Sequence, residues 1–126
     1  ETELKHGRVS MIACIGYIVP EYFRWPGYLS PSEGIAFSSM PSGLKAVSAM
    51  PAVGLLQMIL FAGLVDFAYF RADPTRAPGD FKNAGILGVP NGSGPMRDEE
   101  GRKRKLNAEL ANGRLAMMAI IGMFFQ

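Results

Sequence analysis

One cysteine and one histidine, Cys14 and His6, are all that the 126 residues hold of those two types. No disulfide can form within the chain and no cysteine cluster can bind a metal. Cys14, set in an apolar run, reads as a small filler on a helix. A nucleophile–base pair and a dedicated metal cluster are missing as well, so an enzyme is the function least expected. Long apolar runs are also scarce: only 51–70 continues for a membrane-scale length, with a single charge at Asp66. The chain has no initiator Met, shows no signal or transit segment and stops inside an apolar run, so it reads as a fragment or processed product.

What is present has a mixed character. Hydrophobic residues make up 48% and charged residues 19%, with a net charge of +2. The mean hydropathy of +0.13 is high for a soluble domain and low for a polytopic transporter. A single domain, half membrane helix and half polar loop, fits these values.

The segment 51–70 has the length of a bilayer core, with Pro51 suited to a first helical turn and Arg71 to Pro74 closing it. Uninterrupted apolar sequence covers only 9–19 and 115–125 elsewhere, about 16 Å each at helical rise. These reach membrane length only if the charged residues ahead of them enter the membrane too, and the last also needs residues beyond Gln126. The expectation is one all-α membrane domain over 1–126, with helices at about 1–19, 51–70 and 98–126. Between the first two helices stand two basic residues, Arg24 and Lys45, whereas 71–105 holds eight. The positive-inside bias keeps the second loop on the side of insertion, so the first and third helices start on the same side. The run Arg102 to Lys105 reads as solvated and topology-setting, in reach of anionic headgroups. Pro and Gly argue against regular structure in 72–95. Nucleic-acid binding is not expected, because the basic run is short.

The charged segments repeat. ELKHGRVSMIACIG from Glu3 and ELANGRLAMMAIIG from Glu109 share 8 of 14 positions in register. Two copies are too few for a solenoid and point to a pair of equivalent helices about a local two-fold. An unpaired charge deep in a membrane helix is costly, and each copy offers both signs. Crossing at the repeats lets Glu3 meet Arg114 and Arg8 meet Glu109, as two identical buried pairs. Gly7 and Gly113 remove side-chain bulk where the backbones would approach.

Pairing leaves His6 and Asn112 unexplained, three residues after each Glu. Both can present a neutral lone pair, as can Gln57 and Gln126. A carboxylate already bonded to Arg also keeps spare lone pairs. Such donors suit the axial position of a metal held in a macrocycle, since a bare ion needs several converging ligands. Each residue also has a plain structural reading: a His satisfied in a core, a Gln bonding a neighbouring helix, a Glu–Arg pair that only holds helices together.

The double E-x-x-[HN]-G-R motif resembles the light-harvesting chlorophyll-binding superfamily over nearly the whole chain. The resemblance implies three transmembrane helices, with the first and third crossed about a pseudo-two-fold along the membrane normal and exchanging Glu–Arg pairs. It implies Glu3, His6, Glu109 and Asn112 as ligands of chlorophyll magnesium, with Arg8 and Arg114 as pairing residues. Gln126, 17 residues after Glu109, matches a further Gln ligand. In LLQMILFAGLVD, Gln57 matches a ligand and Asp66 stands where Glu is commoner. PGDFKNAGIL, GLKAVSAMPAVGLLQ and the short middle segment resemble chlorophyll a/c antennae of red-lineage plastids. EYFRWPGYLSPSEGIAFSSMPSG leans toward their dinoflagellate members. The implied cofactors are chlorophyll a, chlorophyll c, peridinin or fucoxanthin, and a diadinoxanthin-type xanthophyll. The implied partners are a photosystem core, neighbouring antenna subunits and thylakoid lipids, in the chloroplast thylakoid membrane. Two alternatives are a dissipative, photoprotective member, with only Glu21 and Glu33 as acids in the first loop, and a colourless membrane scaffold or transport subunit.

Overall fold

The computed structural model describes residues 1–71, 74–75, 77–81 and 99–125. They form α1 (Thr2–Tyr22), a hairpin of β1 (Tyr28–Ser30) and β2 (Ile35–Ala36), a 3-10 turn (Phe37–Ser39), α2 (Lys45–Ala49), α3 (Ala52–Ala68) and α4 (Glu99–Phe124). The strands are antiparallel, with Tyr28 opposite Ala36 and Ser30 opposite Ile35. Three helices are expected from the sequence, but four occur among the described residues, because the first loop folds into the hairpin and the short α2. Most of 72–95 and the residue Gln126 lie outside the described residues.

Helix α1 continues past Val19, with Pro20 inside it. A proline ring usually clashes with the carbonyl four residues back. That residue is Gly16 here, and the helix runs only two residues past the proline, to Tyr22. The Phe23 N–H then bonds the Val19 carbonyl at 2.8 Å and ends the helix. Helix α3 starts one residue after Pro51, which caps the first turn instead of opening it. In α4, Glu99 and Glu100 occupy the first turn, where the helix dipole favours acids. Downstream of them Arg102–Lys105 is helical and exposed, inside the helix expected at about 98–126.

No helix among the described residues is long and apolar enough to cross a membrane by itself. Helix α3, at 17 residues, spans about 25 Å at ~1.5 Å per residue, a little under the ~30 Å of a bilayer core. Helices α1 and α4 carry charges through both repeat hexapeptides.

The extensive helix contact is α1 against α4. The buried residues of the two helices are mostly small: Gly7 on α1, and Gly101, Gly113 and Ala116 with Ile120 on α4. Cys14 faces this seam, its Sγ donating to the Ala116 carbonyl at 3.5 Å. The Tyr17 hydroxyl donates to the Met123 carbonyl at 2.9 Å, and its ring lies 6.0 Å from that of Phe124. Tyr17→Phe is expected to cost about 1 kcal/mol, read as a lowered unfolding midpoint in detergent; an unchanged midpoint would remove this bond from the seam. Outside the seam, large apolar side chains stay exposed. On α3 they include Val53, Leu56, Ile59, Leu60, Phe61 and Leu64, spread around the whole helix. A helix apolar on every face needs an apolar surrounding.

Candidate functional site

The two repeats meet at a point contact between backbones. A Cβ added to Gly7 would lie 2.9 Å from the Gly113 Cα, and one added to Gly113 would lie 3.0 Å from the Gly7 Cα. On one side of this crossing, Arg8 Nε donates to Glu109 Oε1 at 2.6 Å. On the other, Arg114 Nε donates to Glu3 Oε1 at 2.5 Å. Each helix therefore gives one acid and one base, as a local two-fold requires.

The expectation of two identical buried pairs needs correction. Arg8 and Glu109 are 34% and 27% exposed, whereas Arg114 and Glu3 are 62% and 47% exposed. The difference comes from a turn far away in sequence. Arg8 Nη1 donates to the Gly79 carbonyl at 2.8 Å, and the guanidinium lies 5.5 Å from the centre of the Phe81 ring. Phe81 in turn packs edge-on against Phe70 at 5.4 Å. Gly79 has φ +80°, and a Cβ there would approach Leu4 and Arg8 at 3.1 and 3.2 Å. Only glycine fits both the conformation and the space. The Pro-Gly-Asp-Phe sequence was visible beforehand, but nothing local ties it to Arg8.

His6 Nδ1 lies 2.9 Å from the Thr2 carbonyl. A carbonyl can only accept, so this nitrogen carries the proton and Nε2 keeps its lone pair on an exposed ring. That tautomer is the one a metal needs. Asn112 is exposed and its amide has no hydrogen-bond partner among the described residues. In both Glu–Arg pairs the bond is made at Oε1, so the carboxylates keep acceptor capacity. Asp66, on α3, pairs with Lys5 Nζ at 2.8 Å. This third charge-compensated carboxylate ties α3 to α1, and nothing in the sequence signalled Lys5 as its partner. Gln57 opens into a separate cleft between α3 and the hairpin. Gln126 lies outside the described residues.

These donors do not converge. No group of three or more His, Cys, Asp or Glu among the described residues could hold a metal ion. Each is a lone or charge-compensated donor beside exposed apolar side chains, an arrangement that fits a metal whose other positions are filled by a flat organic ring.

The site is thus a glycine crossing locked by reciprocal Glu–Arg bonds, with single exposed donors beside it. Residues 1–126 match in full the family model described as Chlorophyll A-B binding protein, and the chain belongs to that family. It is 38% identical over 122 residues to fucoxanthin-chlorophyll a-c binding protein B, chloroplastic, of Macrocystis pyrifera, covering 96% of this chain and 55% of that protein. It is 39% identical over 124 residues to fucoxanthin-chlorophyll a-c binding protein F, chloroplastic, of Phaeodactylum tricornutum, covering 96% and 60%. The chain thus spans a little over half the length of these relatives. They support the light-harvesting chlorophyll a/c branch, and their names carry fucoxanthin, not peridinin.

Proposed function

We propose that this chain is a light-harvesting antenna protein of the thylakoid membrane, holding chlorophyll a, chlorophyll c and carotenoid and passing excitation toward a photosystem. The observation that supports it most is the crossed pair itself: Glu3, His6, Glu109 and Asn112 present donor atoms at matched positions of two helices whose charges are compensated. When bound, the chlorophylls absorb light and exchange excitation by dipole coupling, which depends on distance and orientation. The protein's task is then positional. The Gly7–Gly113 contact fixes the helix crossing, Arg8 and Arg114 neutralise and orient the two glutamates, and the Thr2 carbonyl selects the His6 tautomer. Gln57 and Gln126 complete the candidate magnesium ligands, and Asp66, charge-compensated by Lys5, is a further cofactor-binding candidate.

The apolar surface left on α1, α3 and α4 suits lipid and pigment, so these three helices are the proposed spans, with α1 and α4 about a two-fold along the membrane normal. In lipid the Glu–Arg pairs lie where water cannot compete for them. The relatives' names favour fucoxanthin over peridinin as the principal carotenoid, with a diadinoxanthin-type xanthophyll beside it. Neighbouring antenna subunits and thylakoid lipids are the proposed surroundings.

Absorption and fluorescence-excitation spectra of the complex in mild detergent, monitored at chlorophyll a emission, test this function. Excitation bands of chlorophyll c and a blue-green-absorbing carotenoid are expected. Strong absorption with quenched emission would shift the reading to dissipation, and a colourless complex would refute pigment binding. For the ligand set, Asn112→Leu is expected to remove a single chlorophyll on reconstitution and leave the helix pair assembled. Full pigment content in that variant would strike Asn112 from the ligands.

A further inference from the structure

Away from the crossed pair, the hairpin tip from Leu29 to Glu33 faces the first turns of α3 across a cleft of about 640 Å³. That volume lies within the ~300–1,000 Å³ usual for organic ligands. The α3 wall contributes Pro51, Gly54, Gln57 and Phe61; the hairpin wall contributes Leu29 and Ser30, among others. Gln57 is exposed and its amide has no hydrogen-bond partner among the described residues. One wall is a helix and holds its own shape. The other is a hairpin of two very short strands, which is not stable alone.

Something must hold that second wall, and one side chain ties the segment that follows it to the end of α1. Arg24 Nε donates to the Pro20 carbonyl at 3.0 Å, at the end of α1. Its Nη1 donates to the carbonyls of Phe37 at 3.4 Å, Ser38 at 3.1 Å and Met40. Its Nη2 donates to Ser42 Oγ at 2.9 Å. The guanidinium therefore gathers the segment directly after β2 onto the end of α1, and the Phe37 N–H bond to the Gly27 carbonyl, 3.1 Å, carries the constraint to the start of β1. Among the described residues its partners are carbonyls and a hydroxyl, without a carboxylate. The charge is spent on backbone dipoles, which marks a staple instead of a surface ion pair.

We infer that Arg24 is the positioning residue of the Gln57 cleft, holding the β1–β2 hairpin in place as the second wall of a pigment site in which Gln57 would hold the chlorophyll magnesium. The inference rests on the pigment-binding function proposed above. It extends that function to a loop residue that does not itself line the cleft.

Pigment content after reconstitution with chlorophylls and carotenoid, compared for wild type, Gln57→Leu, Arg24→Gln and the double variant, tests it. Gln57→Leu is expected to lose a single chlorophyll. Arg24→Gln is expected to lose the same absorption band, and the double variant no more than either alone, because both act on one site. Arg24→Lys keeps the charge but not the planar fork that spans acceptors from Pro20 to Ser42, so it is expected not to restore the band. Loss in Gln57→Leu with full retention in Arg24→Gln would overturn the positioning role alone. Retention in both variants would overturn the ligand assignment of Gln57 and the inference with it. Additive losses in the double variant, or full restoration by lysine, would also overturn it.

Discussion

Gly113→Val is expected to stop α1 and α4 from closing on each other, leaving a chain that retains little pigment on reconstitution. The reason is that the neighbour of the new Cβ is backbone: the Gly7 Cα would be 3.0 Å away. A flexible side chain could move aside, but here a whole helix would have to. Overpacking of an ordinary core costs about 1–3 kcal/mol, and a clash with backbone at the only extensive helix contact among the described residues is expected to exceed it. Separation also breaks both Glu–Arg bonds, so geometry and charge compensation are lost together. The repeat supplies its own control. Gly16 and Gly122 are equivalent glycines with nothing within 4 Å of a built Cβ. Alanine at either position is expected to be neutral or to stabilise by up to about 1 kcal/mol through helix propensity. Comparable pigment loss from Gly122→Ala and Gly113→Val would show that the crossing point is not special.

Arg8→Leu is expected to destabilise the complex more than Arg114→Leu, although the two arginines hold matching positions in the repeat. Removing Arg8 leaves the Glu109 carboxylate, the more covered of the two, without its cation and strips the Gly79 carbonyl and the Phe81 ring of their partner. With side chains about a third exposed, a loss of about 2 kcal/mol is reasonable for a charge-assisted pair. Among the described residues Arg114 bonds Glu3 alone, so its removal takes away one bond where removal of Arg8 takes away three contacts. Unfolding midpoints of the two variants, measured in detergent with pigment bound, check the order. Equal losses would mean that the Gly79–Phe81 turn contributes nothing to the Arg8 side.

The contrast between those two arginines shows what was legible in the sequence. The repeat carried residue identity and spacing, and these suffice to place α1 against α4 and to put Gly7 opposite Gly113. It carried no information on what each pair would meet outside the repeat. The bond from Arg8 to Gly79 joins residues 71 apart, and the Lys5–Asp66 pair joins two helices with no shared pattern. The first loop was opaque for another reason. Its strands have three and two residues, too short for alternation to show, and a single arginine organises it through backbone carbonyls that any sequence would supply. Candidate ligands were legible as residue types. The His6 tautomer was not, because it depends on the Thr2 carbonyl one turn earlier.

The α1–α4 seam also sets an order of events during folding. Arg8 and Glu109 are 101 residues apart, so an emerging α1 has no partner until α4 has been made. Until then Glu3 and Arg8 of its hexapeptide lack their α4 partners, and the loop to be closed is long. Each doubling of loop length adds only about 0.6 kcal/mol, so the delay is one of rate more than of final stability. High contact order in a helical chain slows folding. Anything that shields the ELKHGR segment during that interval, whether pigment, lipid or a chaperone, acts before the helix pair can close.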